Sequence, residues 1–303
     1  MQKLRDSSYL KHFVERLSNL ERKASNLINS LPQHILLEAP LVVSYDRLGY
    51  LPASLVFWFN TILNPSRMVL LSDFGSVIYH IAPYREGDSV IAFASNPYTP
   101  SVYEFLQTAN SLGLEAHVFL PSPQDSKVRE ALNRFRNLHY LEVWDEVEAS
   151  LAEAIGVFGF YSKAFKDRLG RRGVNLQKHG EEGFSVIAEE LARKYSDVLE
   201  KILAERELFV SSTKMLEPAG LSFSQALRNI GVRSVYTPLD QIPGSSTVLL
   251  LTSSVEEFLV KKRVVELTHQ GCRVHGLQLN TDPLESLVYV GILALFVSRL
   301  KSF

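Results

Sequence analysis

The stretch from residue 87 to residue 120, GDSVIAFASNPYTPSVYEFLQTANSLGLEAHVFL, restricts the fold of this 303-residue chain more than any other. Ser89-Val90-Ile91-Ala92-Phe93-Ala94 is a short, mostly apolar run, the pattern of a strand buried on both faces. The next residues, Ser95-Asn96-Pro97-Tyr98-Thr99, are small, polar or turn-forming, and Pro100 followed by Ser101 suits the first turn of a helix. Val102, Phe105, Leu106, Ala109 and Leu112 then recur at helical spacing until Gly113, a stop signal. Residues 116–120 supply a second apolar strand. The unit is strand, polar loop, helix, strand. Open parallel sheets built from such units bind ligands at the carboxyl ends of their strands, beside helix N-termini.

The same alternation runs through the rest of the chain. Residues 8–31 place Tyr9, Leu10, Phe13, Leu17, Leu20 and Leu27 at three- and four-residue intervals among charges, as in an amphipathic helix. Leu41-Val42-Val43-Ser44 predicts a buried strand, followed by the loop Tyr45-Asp46-Arg47-Leu48-Gly49-Tyr50 and a helix over 52–63. Strands are expected at 67–71 and 139–143, helices near 101–112 and 127–135, and a short helix or turn-rich connection over 73–81. Together these predict a doubly wound α/β domain. A helical pattern over 147–169 ends in the charged segment 166–173, expected to be solvated linker rather than an anion grip. The domain boundary is placed within 170–183, giving domains of residues 1–175 and 176–303. The second domain repeats the theme, with strands at 208–212, 234–237, 247–252 and 273–279 and helices over 185–203, 221–230, 256–270 and 284–300. The last helix is apolar on nearly every side and is expected between domains or at a subunit interface.

Thirty-two basic and thirty-three acidic residues leave a formal charge of −1, so neither nucleic acid nor a membrane is expected as a partner. The longest apolar run, residues 287–297, is short of the roughly 20 residues a spanning helix needs. The N-terminal residues carry charges throughout, unlike a secretory signal. One cysteine, Cys272, excludes an intrachain disulfide and a cysteine-built zinc cluster and fits a reducing, cytoplasmic setting. The eight histidines show none of the close spacings used for zinc, and no metal or redox cofactor is expected.

The central unit resembles a sugar isomerase (SIS) domain. The element order over residues 35–300 is similar to that of the archaeal double-SIS phosphoglucose/phosphomannose isomerases, with the best local agreement at 89–99 and 270–300. The resemblance implies two tandem SIS-type, flavodoxin-like, doubly wound parallel-sheet domains, a phosphosugar or related small molecule as ligand, and a homodimer. In that family the loop after the central strand reads Ser-x-Ser-Gly-Asn-Thr and holds the sugar phosphate; here it is Ala94-Ser95-Asn96-Pro97-Tyr98-Thr99, which keeps only Thr99. The family's glycine-rich turn after the first strand is replaced by residues 45–50, and its arginine at the start of a core helix aligns with Glu148, reversing the charge. The family's base is a glutamate in Asn-Glu-x-x-Glu-Asn. That pattern falls on Ser224-Gln225-Ala226-Leu227-Arg228-Asn229, where Gln225 is an amide without useful basicity. The family's histidine has no counterpart over 239–244, and its lysine would lie beyond Phe303.

Ligand-binding candidates are Ser44, Arg47 and Gly49 at the first strand end, and Ser95, Asn96, Tyr98 and Thr99 at the central one. Arg228 pairs either with a ligand anion or with an acid such as Asp240. Tyr45, Tyr50 and Tyr98 are expected to cluster at the mouth of the first sheet, to stack on a ligand or to fill the pocket. Catalytic candidates are Gln225, at the position of the family base, and Glu217, a substitute carboxylate at the mouth of the second domain. The expected function is binding of a phosphosugar or carbohydrate derivative without normal isomerase activity. Two alternatives stand beside it: an aldose–ketose isomerase with its base moved to Glu217, and a non-catalytic interaction or regulatory protein that docks partners near the final helix.

Overall fold

A computed structural model describes residues 6–29, 33–37, 41–64, 66–84, 89–168 and 170–300. The expected helix ends at residues 30, 31 and 169, and Gly87 at the head of the central unit, lie outside them. The chain divides into two compact units, Asn19–Gly183 and Met1–Ser18 with Phe184–Phe303.

In the first unit, β1 (Leu41–Tyr45), β2 (Val69–Asp73), β3 (Ser89–Phe93), β4 (Glu115–Pro121) and β5 (Leu138–Leu141) form a parallel sheet in the order β2-β1-β3-β4-β5. This is the flavodoxin-like order, with its topological switch point between β1 and β3. The register pairs Ser44 with Ala92 and Tyr45 with Phe93, so β1 and β3 end level with each other. Every residue of β3 is buried, as its unbroken apolar run requires. Val42, Val90, Ala92, Val118 and Leu120 build the core on one face with Phe74, and Val102 and Phe105 of the helix Pro100–Ser111. Helices Tyr50–Leu63 and Glu146–Ala164 pack together, with the Phe59 ring against Phe158 and Tyr161.

In the second unit, β6 (Glu207–Ser212), β7 (Arg233–Tyr236), β8 (Thr247–Ser253) and β9 (Arg273–Leu279) are parallel in the order β7-β6-β8-β9. Its switch point lies between β6 and β8. Helix Glu217–Asn229 packs on the final helix Pro283–Ser298, whose residues from Leu284 to Ser298 are all buried. Tyr9 and Phe13 of the helix Ser7–Asn29 set their rings against Phe296.

The parallel α/β architecture expected from the sequence is present in both units. Two local expectations are corrected. Residues 171–182 are helix rather than linker, because Gly173 and Leu176 are buried and give the charged segment an inward face. Residues 185–203 form two helices, Ser185–Lys194 and Ser196–Ala204, broken at Tyr195, whose hydroxyl donates to the Gln278 carbonyl at 2.7 Å. The final helix is buried from Leu284 to Ser298, as its apolar surface requires. Among the described residues no helix is long and apolar enough to cross a membrane.

Candidate functional site

The switch point of the first sheet is the place where an open α/β fold receives a ligand, and here a side chain of the chain itself occupies it. The backbone N–H of Asp46, the first residue past β1, donates to the Phe93 carbonyl at 3.0 Å. A short turn, Arg47–Gly49, then leads into the helix from Tyr50. Arg47 holds φ at +30°, a region L-residues rarely adopt. Gly49 lies so close to β3 that a β-carbon there would stand 2.1 Å from the Phe93 carbonyl oxygen. The Ser150 hydroxyl donates to the Leu48 carbonyl at 2.6 Å and ties the turn to helix Glu146–Ala164.

The turn aims the Asp46 carboxylate at the end of β3. Its Oδ1 accepts from the Ser95 backbone N–H at 2.7 Å and the Ser95 hydroxyl at 3.2 Å. Those are donors that would otherwise face an anion at the strand end. Asp46 is buried and its Oδ2 has no hydrogen-bond partner. Burial is the main cause that lifts its pKa to about 6; the Ser95 N–H and hydroxyl oppose it, Glu146 adds to it, and Arg47 opposes it. Glu153, in the same helix as Glu146, is fully buried with neither carboxylate oxygen hydrogen-bonded. Burial first, and the Asp46 charge second, push its pKa well above the usual carboxylate range and favour the protonated form. The Ser44 hydroxyl, at the end of β1, also lacks a partner.

Beside this closed crevice lies a cavity of about 150 Å³ at the ends of β3 and β4. Ser95, Asn96, Pro97 and Tyr98 line one side, Pro121, Ser122 and Gln124 another, and Trp144 and Glu146 a third. The Asn96 side chain donates to Glu146 Oε1 at 2.7 Å and accepts from the Tyr98 N–H at 2.9 Å. Arg47 approaches the same Glu146 oxygen at 3.7 Å. The Thr99 hydroxyl donates to the Asn96 carbonyl at 3.1 Å and does not cap the helix it precedes. The Tyr98 hydroxyl accepts from the Gln124 N–H at 2.7 Å. Tyr45 and Tyr50 stack on each other with ring centroids 4.4 Å apart, and neither lines this cavity. The expected cluster of three tyrosines is thus a stacked pair and a separate Tyr98. Glu148 is buried in the first turn of its helix, and its N–H donates to Asp145 Oδ1 at 3.0 Å.

The second sheet closes its crevice with a carboxylate from the opposite side. Thr213 follows β6 as Asp46 follows β1, its N–H directed at the Leu251 carbonyl at 3.4 Å. The turn Lys214–Leu216 and a helix from Glu217 repeat the order of the first unit. Here Glu256, three residues beyond β8, accepts from the Ser253 hydroxyl at 2.6 Å and the Thr213 hydroxyl at 2.7 Å. Its capping box with Ser253 fixes the carboxylate.

Glu217 does open the helix at the mouth of the second sheet, and its carboxylate is bound to Lys214 Nζ at 2.5 Å. Gln225 lies about 12 Å further along that helix at about 1.5 Å per residue; its amide nitrogen donates to Asn229 Oδ1 and its oxygen accepts from Arg228. Arg228 also donates to the Ser234 carbonyl at 3.0 Å, near the amino end of β7. It therefore lies at the edge of its sheet opposite the crevice. Asp46, Glu153, Glu256 and Trp144 were not singled out by sequence reasoning. Two of them carried a signal: a single carboxylate inside the apolar run 149–158, and the Ser253-x-x-Glu256 spacing of a capping box.

No family model matches this sequence, and no curated protein matches it. Solved structures do. The C-terminal domain of glucosamine-fructose-6-phosphate aminotransferase from Francisella tularensis superposes with a TM-score of 0.62 at 12% identity, over 94% of each chain. Tagatose-6-phosphate ketose/aldose isomerase from Escherichia coli matches with a TM-score of 0.59 at 11% identity, over 98% of this chain and 92% of its own. Glucosamine-6-phosphate deaminase from Thermotoga maritima gives 0.55 at 11%, over 96% and 93%. At such identities the likeness shows the fold alone: this chain has the fold of the SIS phosphosugar proteins over nearly its whole length.

Proposed function

We propose that this protein binds a phosphosugar or related carbohydrate derivative, in the manner of a phosphoglucose/phosphomannose isomerase relative, and does not carry out the isomerisation. The observation that carries the loss of the isomerisation is the chain's own carboxylate on the strand-end donors of each sheet, Asp46 on Ser95 and Glu256 on Ser253 and Thr213. An incoming dianion meets a carboxylate where the fold would offer N–H groups, and like charges at such distances disfavour binding. Moving a proton between adjacent sugar carbons also requires a base. Gln225 supplies none, and Glu217, the substitute, is held by Lys214. Of the ligand-binding candidates, Ser95, Asn96 and Tyr98 share one cavity, which we take as the binding site. A cytoplasmic homodimer belongs to the same proposal.

Thermal-shift titration with hexose phosphates, uncharged hexoses and nucleotide sugars tests the binding, and a coupled assay on fructose 6-phosphate and mannose 6-phosphate tests the chemistry. The expected result is stabilisation by at least one carbohydrate with no interconversion. Turnover abolished by Glu217→Gln would replace this reading with that of an isomerase whose base has moved.

A further inference from the structure

The cavity beside the closed crevice has a chemistry of its own, and the inference drawn from it rests on the carbohydrate-binding function proposed above. Its charged wall residue is Glu146, and Ser122 at its edge donates to a second carboxylate, Glu142, at 2.8 Å. Arg47 is directed at Glu146 from 3.7 Å, with its side chain 58% exposed. The remaining polar groups are uncharged, chiefly the side chains of Asn96 and Gln124 and the Tyr98 hydroxyl. Trp144 lines the cavity while 70% exposed, although an indole of this size normally gains by burial.

Carboxylates accept short, charge-assisted hydrogen bonds from hydroxyl groups, whereas they repel a phosphate dianion. An aromatic face left open at the rim of a polar cavity suits the C–H face of a pyranose or polyol, with amides to fix its orientation. We infer that this cavity binds an uncharged sugar or polyol, stacked on Trp144 with hydroxyls donated to Glu146, and that it selects against the phosphorylated form of the same sugar.

Trp144 and Trp58 are the two tryptophans of the chain, so a Trp58→Phe variant leaves Trp144 as the single indole reporter. That variant is titrated with glucose, mannose, galactose, fructose and sorbitol, and with glucose 6-phosphate, mannose 6-phosphate and fructose 6-phosphate. Calorimetry on the unmodified protein runs in parallel. The expected result is a saturable change in Trp144 emission with at least one uncharged member and at least tenfold weaker binding of its phosphate ester. Trp144→Ala is expected to remove the calorimetric signal, and Glu146→Lys to reverse the preference toward the ester. Phosphate esters binding as tightly as the parent sugars would overturn the inference and leave the carbohydrate-binding function standing. Silence from both groups would overturn the inference, and silence from the nucleotide sugars as well would overturn both. Binding that survives Trp144→Ala unchanged would place the sugar elsewhere and overturn the inference alone.

Discussion

The two sheets meet the same problem at the same place and solve it with opposite halves of the crevice. In the first unit the carboxylate comes from the β1 side, as Asp46 reaching to Ser95 past β3; in the second it comes from the β8 side, as Glu256 reaching back to Thr213 past β6. Asp46 pays a desolvation penalty and leaves one oxygen without a partner. Glu256 satisfies two hydroxyls from a helix start that its own capping box builds. An unpaired carboxylate oxygen behind a buried turn costs stability, whereas one in a capping box contributes it. The same closure is thus strained in one unit and relaxed in the other.

Substitutions separate the two cases. The largest effect is expected for Gly49→Ala, whose new β-carbon would collide with the Phe93 carbonyl oxygen at 2.1 Å, a backbone atom that cannot rotate away. A loss of upwards of about 3 kcal/mol in denaturant unfolding is predicted. In the second unit the matching turn ends in buried Leu216, which already carries a β-carbon. Full stability of Gly49→Ala would mean that the first turn does not press on β3 as described.

Asp46→Asn is next, and its effect depends on pH. The folded-state pKa of Asp46 is raised from 3.8 to about 6, so its contribution to stability is fully present below the unfolded value and lost as pH rises through 6. The variant should match the parent near pH 4 and exceed it by on the order of 2 to 3 kcal/mol at pH 8, at about 1.36 kcal/mol per pKa unit. A pH-independent difference would contradict the burial of this charge. Glu256→Gln should act in the other direction and more weakly, costing about 1 kcal/mol through weaker hydrogen bonds to Ser253 and Thr213. A gain in stability there would erase the contrast between the units.

The strands that were plain in the sequence are those buried on both faces. Residues 89–93 and 247–253 have no polar side to confuse the pattern, and both came out as central strands. The helix Arg171–Glu182 was hidden because ten of its twelve residues are not buried, so periodicity had only Gly173 and Leu176 to report. The site was less legible for a different reason. The partner of Asp46 lies 49 residues away in sequence, and only the β1–β3 register brings the two strand ends level. Read locally, Asp46 is one polar residue of a loop. Trp144 likewise gains meaning only when the ends of β3 and β4 form a wall opposite it.

The central claim is that the chain's own carboxylates occupy the strand-end donors of both sheets. The most direct measurement follows the backbone amide resonances of Ser95 and Ser253 by NMR while inorganic phosphate is titrated into the full-length protein at pH 7.5 (about a hundredfold excess, against the millimolar affinities of weak sites). Both resonances are predicted to stay in place, with Asp46→Gly making Ser95 responsive. A saturable shift of either amide in the unmodified protein would contradict the account.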